Sequence, residues 1–387
     1  MPPMKTIGIL IERQRAYGRR LCRGIIDFAE RRKDWSLRMI EFPELDKALR
    51  TTSFDGFIAR VVNARMAKML AKTGKPVVDV FFERPLPGFA AADQNATAVG
   101  QMAARHFIEH KFSNFAFCGY NGRRYSDGRR DAFLRYLALN KFSCTCYTTP
   151  ASALKDFDDS VIMREHFGMP SDAKSLLKWL QKLPKPIALF CAHDMRAWQV
   201  SEICRANGIG IPQEIAILGC DDDELVCNFT DPSISSIDQN PTGIGRAAAV
   251  KLQEMLDNPG RVPKPVFVKP AKLAERGSTR VYPVSPPWLS DALVFIRANV
   301  SKRISAADVY SHVGKSHTLV DRAFKSTIGS SVQKTISATR LAEAKRLIGS
   351  TSMPMQAIAQ ACGYSSLQYF SNSFLRAFGE SPTSFRA

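Results

Sequence analysis

The sequence predicts an α/β region followed by an all-α C-terminal region that carries two helix-turn-helix units. Three observations lead there. From residue 5 to about residue 275, short apolar runs alternate with segments of helical periodicity. That rhythm ends in a stretch broken by Pro259, Pro263, Pro265 and Pro270, followed by a polar segment at 276–287. Beyond it, a helix, a glycine turn and a second helix occur twice in succession.

The α/β rhythm is read element by element. Ile7–Ile11 is a continuous apolar run, and Tyr17–Arg31 follows with Leu21, Ile25, Ile26 and Phe28 at helical spacing. Residues 54–61 and 77–80 read as strands, 97–110 as a helix, 115–118 as a strand and 129–139 as a helix. The strands 187–191 and 215–218 flank a helix at 195–206. Strands this apolar are buried on both faces, which means parallel sheets sandwiched by helices. The expected division is an α/β domain over 1–275, a linker over 276–287 and a DNA-binding domain over 288–387.

In the C-terminal region, Ser305 is a natural N-cap for a short helix ending at Val313, and Gly314 permits a sharp turn into a helix opened by Ser316 and closed by Gly329. The pattern returns as Met355–Cys362, Gly363, and Ser366–Phe378 closed by Gly379, with an amphipathic helix at about 331–348 between the two units. Val320, Phe324, Phe370 and Phe374 form the expected core face. The opposite face offers Thr318, Asp321, Arg322 and Lys325 in the first unit, and Gln368, Ser371 and Asn372 in the second. Arginine reads guanine, glutamine and asparagine read adenine, and the hydroxyls read either, so these residues suit base edges. Residues 288–387 carry 12 Lys and Arg against 5 Asp and Glu, and the whole chain has a formal charge of +18. Such a basic excess favours a polyanion, with double-stranded DNA the expected partner.

Other chemistries find little support. The nine cysteines are scattered, no pair has the C-x₂-C spacing of a zinc site, and no histidine cluster accompanies them, so neither metal nor cofactor is expected. Gly243 to Ala248 fits G-x-G-x-x-A, but it follows Pro241 and lacks an acidic residue about 20 positions on, so it reads as a helix start. There is no Walker A, G-x-S-x-G or H-E-x-x-H sequence, and no catalytic residue is proposed. No apolar run is long enough for a signal or a membrane span, so a cytoplasmic protein with reduced thiols is expected.

Two resemblances add to this reading. Residues 288–387 resemble the AraC-type DNA-binding domain through Ser316, Val320, Arg322, Phe324, Lys325 and Gly329 in the first unit. Arg340, Ala344, Ile358, Ala359, Gly363, Tyr364, Tyr369, Phe370, Phe374, Gly379, Pro382 and Arg386 extend it, with Asp321 and Leu375 departing from the pattern. The resemblance implies that both reading helices enter successive major grooves, about 34 Å apart, on one DNA face.

Residues 5 to about 275 resemble the sugar-sensing core of LacI-type repressors. The likeness rests on Ser126–Phe133, Phe190–Asp194, Ile217–Asp222 and Ser235–Pro241. It implies a two-lobed core of the type I periplasmic-binding-protein kind, with Asp221, Arg129, Asp194 and His193 as polar ligand contacts and Tyr17, Phe81 and Phe82 as aromatic ones. LacI-type repressors carry their DNA-binding unit at the N-terminus. A C-terminal AraC-type unit behind such a core, with Arg15 and Tyr17 after the first strand, resembles activators of pentose catabolic operons. That arrangement implies a small sugar effector, a xylose-like pentose, together with an operator DNA, a homodimer and RNA polymerase as partners. A ligand-independent architectural protein and a sugar-modifying enzyme fused to a DNA-binding domain are the competing readings.

Overall fold

The computed structural model describes residues 3–149 and 170–386. It divides into two units, Met1–Arg280 and Val281–Ala387, each with its own core.

The first unit contains two six-stranded sheets. The first is built from β1 (Lys5–Leu10), β2 (Trp35–Met39), β3 (Gly56–Ala59), β4 (Val77–Asp79), β5 (Ala90–Gln94) and β11 (Val266–Val268), in the order β2-β1-β3-β4-β5-β11 and parallel throughout. The second comprises β6 (Phe115–Cys118), β7 (Thr145–Cys146), β8 (Ile187–Cys191), β9 (Ile215–Cys220), β10 (Ser235–Asp238) and β12 (Lys272–Ala274), in the order β7-β6-β8-β9-β10-β12. Only β12 runs antiparallel to its neighbour. All residues of β3, β5, β6, β8 and β9 are buried, as expected of strands covered on both faces.

Helices supply that cover. α1 (Ala16–Arg32) and α9 (Pro241–Asp257) pack on one face of the first sheet around Leu21, Ile25, Ala248 and Leu252, while α2 (Leu45–Thr51) and α3 (Ala64–Lys72) pack on the other. α6 (Ala173–Lys182) and α7 (Asp194–Ala206) cover one face of the second sheet, and the short α8 (Glu224–Asn228) follows β9. α4 (Ala96–Glu109) and α5 (Arg124–Leu139) pack together, with the Phe133 ring set against those of Phe107 and Phe190. α1 and α9 approach backbone to backbone. A Cβ at Gly24 would lie 2.0 Å from the Thr242 carbonyl oxygen, and one at Gly245 2.0 Å from that of Leu21.

The chain passes between the sheets three times, from β5 into α4, from β10 into α9, and from β11 into β12. The proline-broken stretch after α9 therefore supplies an edge strand to each sheet. No strand is expected there from the sequence, because each of these has three residues and prolines around it, which edge positions tolerate.

The segment expected to be a linker, 276–287, is shared between the units. The Ser278 amide region is tied to the second sheet, with Ser278 Oγ donating to the Ile217 carbonyl at 2.6 Å. Tyr282 packs in the core of the second unit, and its amide donates to Ser290 Oγ at 2.9 Å.

The second unit is helical: α10 (Pro287–Ala298), α11 (Ala306–Val313), α12 (His317–Ala323), α13 (Val332–Ser350), α14 (Met355–Ala361), α15 (Leu367–Phe378) and α16 (Pro382–Arg386). Ser305 and Asp308 form a capping box at α11. Gly314, Gly329, Gly363 and Gly379 all take positive φ at helix ends. Two clusters fill the unit. Val320 and Phe324 belong to the first and Phe370 and Phe374 to the second, all fully buried, and α13 serves both. Among the described residues no helix is long and apolar enough to cross a membrane.

Candidate functional site

The C-terminal ends of the parallel strands converge on one cleft in the first unit, where an open α/β sheet places a ligand. It holds about 570 Å³ of empty space, part of it open to solvent, and is lined by Glu12, Arg15, Tyr17, Arg60, Phe81, Asp93, Gln94, Tyr125, Arg129, His193, Asp221 and Gln239. Glu12, Arg15 and Tyr17 follow β1, Arg60 follows β3, and Phe81 lies just beyond β4. His193, Asp221 and Gln239 follow β8, β9 and β10, and Tyr125 and Arg129 stand on α5. Both sheets contribute.

The wall is a network of buried charge. Arg60 pairs with Glu12, and its guanidinium lies 4.5 Å from the Phe81 ring centroid and 5.9 Å from that of Tyr17. Arg129 donates to the Ala192 carbonyl and lies 5.5 Å from the Tyr125 ring centroid. Gln239 Nε2 donates to Asp221 Oδ1. Asp221 has φ 130°, a region that favours glycine, so its carboxylate is held in the cleft at the cost of backbone strain. Burial raises the Asp221 carboxyl to about 6 against the opposing pull of Arg129, Arg15 and Arg60, and raises Asp93 to about 7.

His193 caps α7. Its Nδ1 accepts the Arg196 amide at 3.1 Å, so the neutral ring carries its proton on Nε2. Burial, then Arg15, Arg129 and Arg196, hold its pKa well below the ordinary value and keep it neutral. Among the described residues, Glu12 Oε2, Gln94 Oε1 and Arg129 Nε are buried and find no hydrogen-bond partner. Buried polar atoms are normally paired, so a polar guest suits these positions.

Of the residues singled out in the sequence, Asp221, Arg129, His193, Tyr17 and Phe81 line the cleft. Asp194 and Phe82 do not. Asp194 is fully buried at the start of α7, accepting from Ser236 Oγ and, at 2.8 Å, from the Asp223 amide, so its carboxylate braces the loop that carries Asp221. Phe82 turns away to meet Phe267 at 5.7 Å between centroids and the Arg124 guanidinium at 4.5 Å. Asp79 explains the turn: its carboxylate accepts the amides of Val61, Phe81 and Phe82, sending the two phenylalanines to different sides.

In the second unit Thr318, Asp321, Arg322, Lys325, Gln368 and Asn372 are exposed and Ser371 is half-buried. Asp321 accepts from the Tyr310 hydroxyl at 3.1 Å, linking α12 to α11. Lys325 lies past α12, in a π-helical turn over Phe324–Ile328. Gln368 Nε2 donates to Asn372 Oδ1 at 3.1 Å along one face of α15. Leu319 is 44 % exposed, Tyr369 58 % and Leu375 48 %, so apolar groups share the exposed face of these helices.

Comparison with known proteins agrees with this geometry. Residues 104–279 match a periplasmic binding protein-like domain and residues 310–387 a helix-turn-helix domain. The xylose operon regulatory protein of Escherichia coli K12 is 27% identical over 391 residues, covering 98% of this chain and 96% of that protein. A solved structure of a xylose-binding transcription activator aligns over 100% of this chain and 98% of that one, with 26% identity and a TM-score of 0.62. A LacI family regulator from Enterococcus faecium with bound ribose shares the fold of the first unit, at 18% identity and a TM-score of 0.55 over 73% of this chain. Along its whole length the chain is similar to the xylose operon regulators, with a periplasmic-binding-protein-like domain followed by a helix-turn-helix domain.

Proposed function

We propose that the protein is a cytoplasmic, sugar-responsive transcription regulator that reads an operator through its two helix-turn-helix units and holds a monosaccharide, a xylose-like pentose, in the cleft of its first unit. One observation carries this reading: carboxylates, guanidiniums and aromatic faces from the strand ends of both sheets meet in a single cleft. A carboxylate accepts two sugar hydroxyls, a guanidinium donates two hydrogen bonds, and an aromatic face covers the apolar side of the ring. Asp221 and Arg129 are the principal polar contacts, His193 offers an Nε2 donor, and Tyr17 and Phe81 supply the aromatic faces. Arg322, Lys325 and Thr318, then Gln368, Ser371 and Asn372, contact DNA. The regulator works as a homodimer and, as an activator, engages RNA polymerase at the promoter.

Sugar shifts the protein between states only through unequal affinity for them, so operator DNA changes sugar affinity by the factor with which sugar changes operator affinity. Titrating D-xylose by calorimetry with and without operator tests this. Unequal dissociation constants support the reading. Equal ones show that cleft and helices are uncoupled, and absence of heat with every pentose and hexose favours the ligand-independent architectural protein.

A further inference from the structure

Outside the cleft, the first unit brings His106, His110 and Glu275 together, each offering one ligand atom within 4.8 Å of the others. We propose that these three side chains bind a divalent transition-metal ion of the zinc type, clamping α4 to the last segment of the first unit. His106 and His110 are four residues apart, hence on one face of the helix, and their ring centroids lie 4.2 Å apart. Glu275 reaches them from the far end of the chain's path, directly after β12.

The local chemistry favours a cation. His110 Nδ1 is 2.8 Å from the His106 carbonyl oxygen, an acceptor only, so Nδ1 carries hydrogen and donates. In the neutral ring Nε2 then presents its lone pair, and it faces Glu275 Oε1 at 3.6 Å. A lone pair and a carboxylate oxygen face to face need a proton or a cation between them. The His110 side chain is 1 % exposed, and a neutral imidazole that ligates a metal needs no buried imidazolium. Histidines that ligate metal characteristically donate their other ring nitrogen to a carbonyl, as His110 does. The His106 ring is likewise fixed, its Nε2 lying 3.0 Å from Thr279 Oγ1, which is 2.7 Å from Ser235 Oγ.

Metal–nitrogen bonds of about 2.0–2.1 Å place tetrahedral ligand atoms about 3.3–3.5 Å apart, so the side chains need contract only by about an ångström. Two imidazoles with one carboxylate suit zinc, cobalt or nickel rather than magnesium or calcium, which take oxygen ligands. The fourth position is left to water. Glu275 stands six residues before Val281, where the second unit begins, so the ion tightens the chain where it leaves the sensing core.

Untagged full-length protein, stripped with EDTA, is titrated with zinc chloride by calorimetry, and cobalt binding is followed by absorption. One tight zinc site is expected, with cobalt bands in the visible and no intense thiolate charge-transfer band in the near ultraviolet. Glu275→Gln keeps the shape, lies on a half-buried side chain, and is expected to weaken zinc binding about a hundredfold or more. His110→Asn, checked for folding by circular dichroism, should do the same. Absence of a site in the stripped protein overturns the proposal and leaves a His110–Glu275 ion pair. Thiolate bands, or zinc affinity unchanged in Glu275→Gln, overturn it in favour of cysteine ligands.

Discussion

The cleft and the reading helices use the same chemical kinds of side chain, an arginine, a carboxylate, an amide and a hydroxyl, yet hold them in opposite ways. In the cleft Arg60, Arg129 and Asp221 are interlocked and largely withdrawn from water, each already engaged by Glu12, the Ala192 carbonyl or Gln239. On α12 and α15, Arg322, Lys325 and Gln368 stand in solvent. Burial makes each cleft contact strong and orients it before the ligand arrives. Exposure leaves the proposed helix contacts individually weaker, adjustable to a base edge, and nearly without consequence for folding. The comparison teaches where specificity is stored: in the sensor it is built into the fold, and in the DNA-binding unit it is laid on top of one.

The sharpest test of the buried half is Asp221. Hydrogen bonds to a charged group contribute roughly 1.5–3 kcal/mol each, so Asp221→Ala should weaken sugar binding by about ten- to several-hundred-fold while ligand-independent operator binding persists. Asp221→Asn keeps the shape and removes the charge. Calorimetry and a gel shift on one preparation separate the outcomes: normal sugar binding removes Asp221 from the site, and loss of both activities assigns it to folding.

Next in size is the exposed half. Arg322→Ala should relax base preference at one operator position by roughly 1–3 kcal/mol, with thermal stability unchanged. A uniform loss on all sequences, accompanied by a smaller salt slope, makes Arg322 a phosphate contact instead.

The pH response follows from burial and should be confined to the cleft. With the Asp221 carboxyl raised to about 6, first by desolvation, the acceptor form predominates above that value and is lost as pH falls through it. Sugar affinity should therefore decline below pH 6, by about tenfold at pH 5 if binding requires the carboxylate. In Asp221→Asn the decline below pH 6 should disappear, leaving only a change near pH 7 from Asp93. A wild-type profile flat between pH 5 and 7 separates sugar binding from this group.

The smallest effect concerns the second unit's boundary. A fragment beginning at Val281 retains Tyr282, which is 9 % exposed, and its bond to Ser290, whereas one beginning at Trp288 loses both. Burying an aromatic side chain contributes about 1.5–3 kcal/mol, so the longer fragment should melt several degrees higher in a thermal scan. Equal melting temperatures would place Tyr282 outside the unit's cooperative core.

The same contrast governs what could be read from sequence. The second unit was legible nearly throughout because its signals are local: Ser305 and Ser366 cap helices, Ser316 stands at a third helix start, glycines end them, and apolar periodicity separates Phe370 and Phe374 from Gln368 and Asn372. The cleft was legible mainly where a motif was continuous, as at Arg129, His193 and Asp221, and at the aromatic candidates Tyr17 and Phe81. Glu12, Arg60, Asp93, Gln94 and Tyr125 come one or two at a time from separate elements, and nothing in their own neighbourhood marks them, while Gln239 lies in the Ser235–Pro241 segment, which does not single it out. Their shared signal is position: most lie within two residues of a strand's C-terminal end. Asp194 and Phe82, expected at the ligand, lie off the cleft lining. Each adjoins a cleft residue in sequence, but one step along a loop reverses the direction of a side chain. His106, His110 and Glu275 escaped for a third reason, since two lie on a helix turn and the third 165 residues later.

The three passages between the sheets bear on the order in which the protein can be made. The second sheet draws β6–β10 from one uninterrupted stretch, Phe115–Asp238, so it can assemble as soon as that stretch has left the ribosome. The first sheet cannot. α1 precedes every strand of the second sheet in the chain, but the helix against which its Leu21 and Gly24 face packs is α9, which ends at Asp257. For more than two hundred residues of synthesis the nascent N-terminal strands carry an apolar helix face with nothing to cover it. A chain arrested near residue 240 should therefore be cleaved by protease within α1 and protected within β8 and β9, whereas one arrested near residue 280 should resist at both.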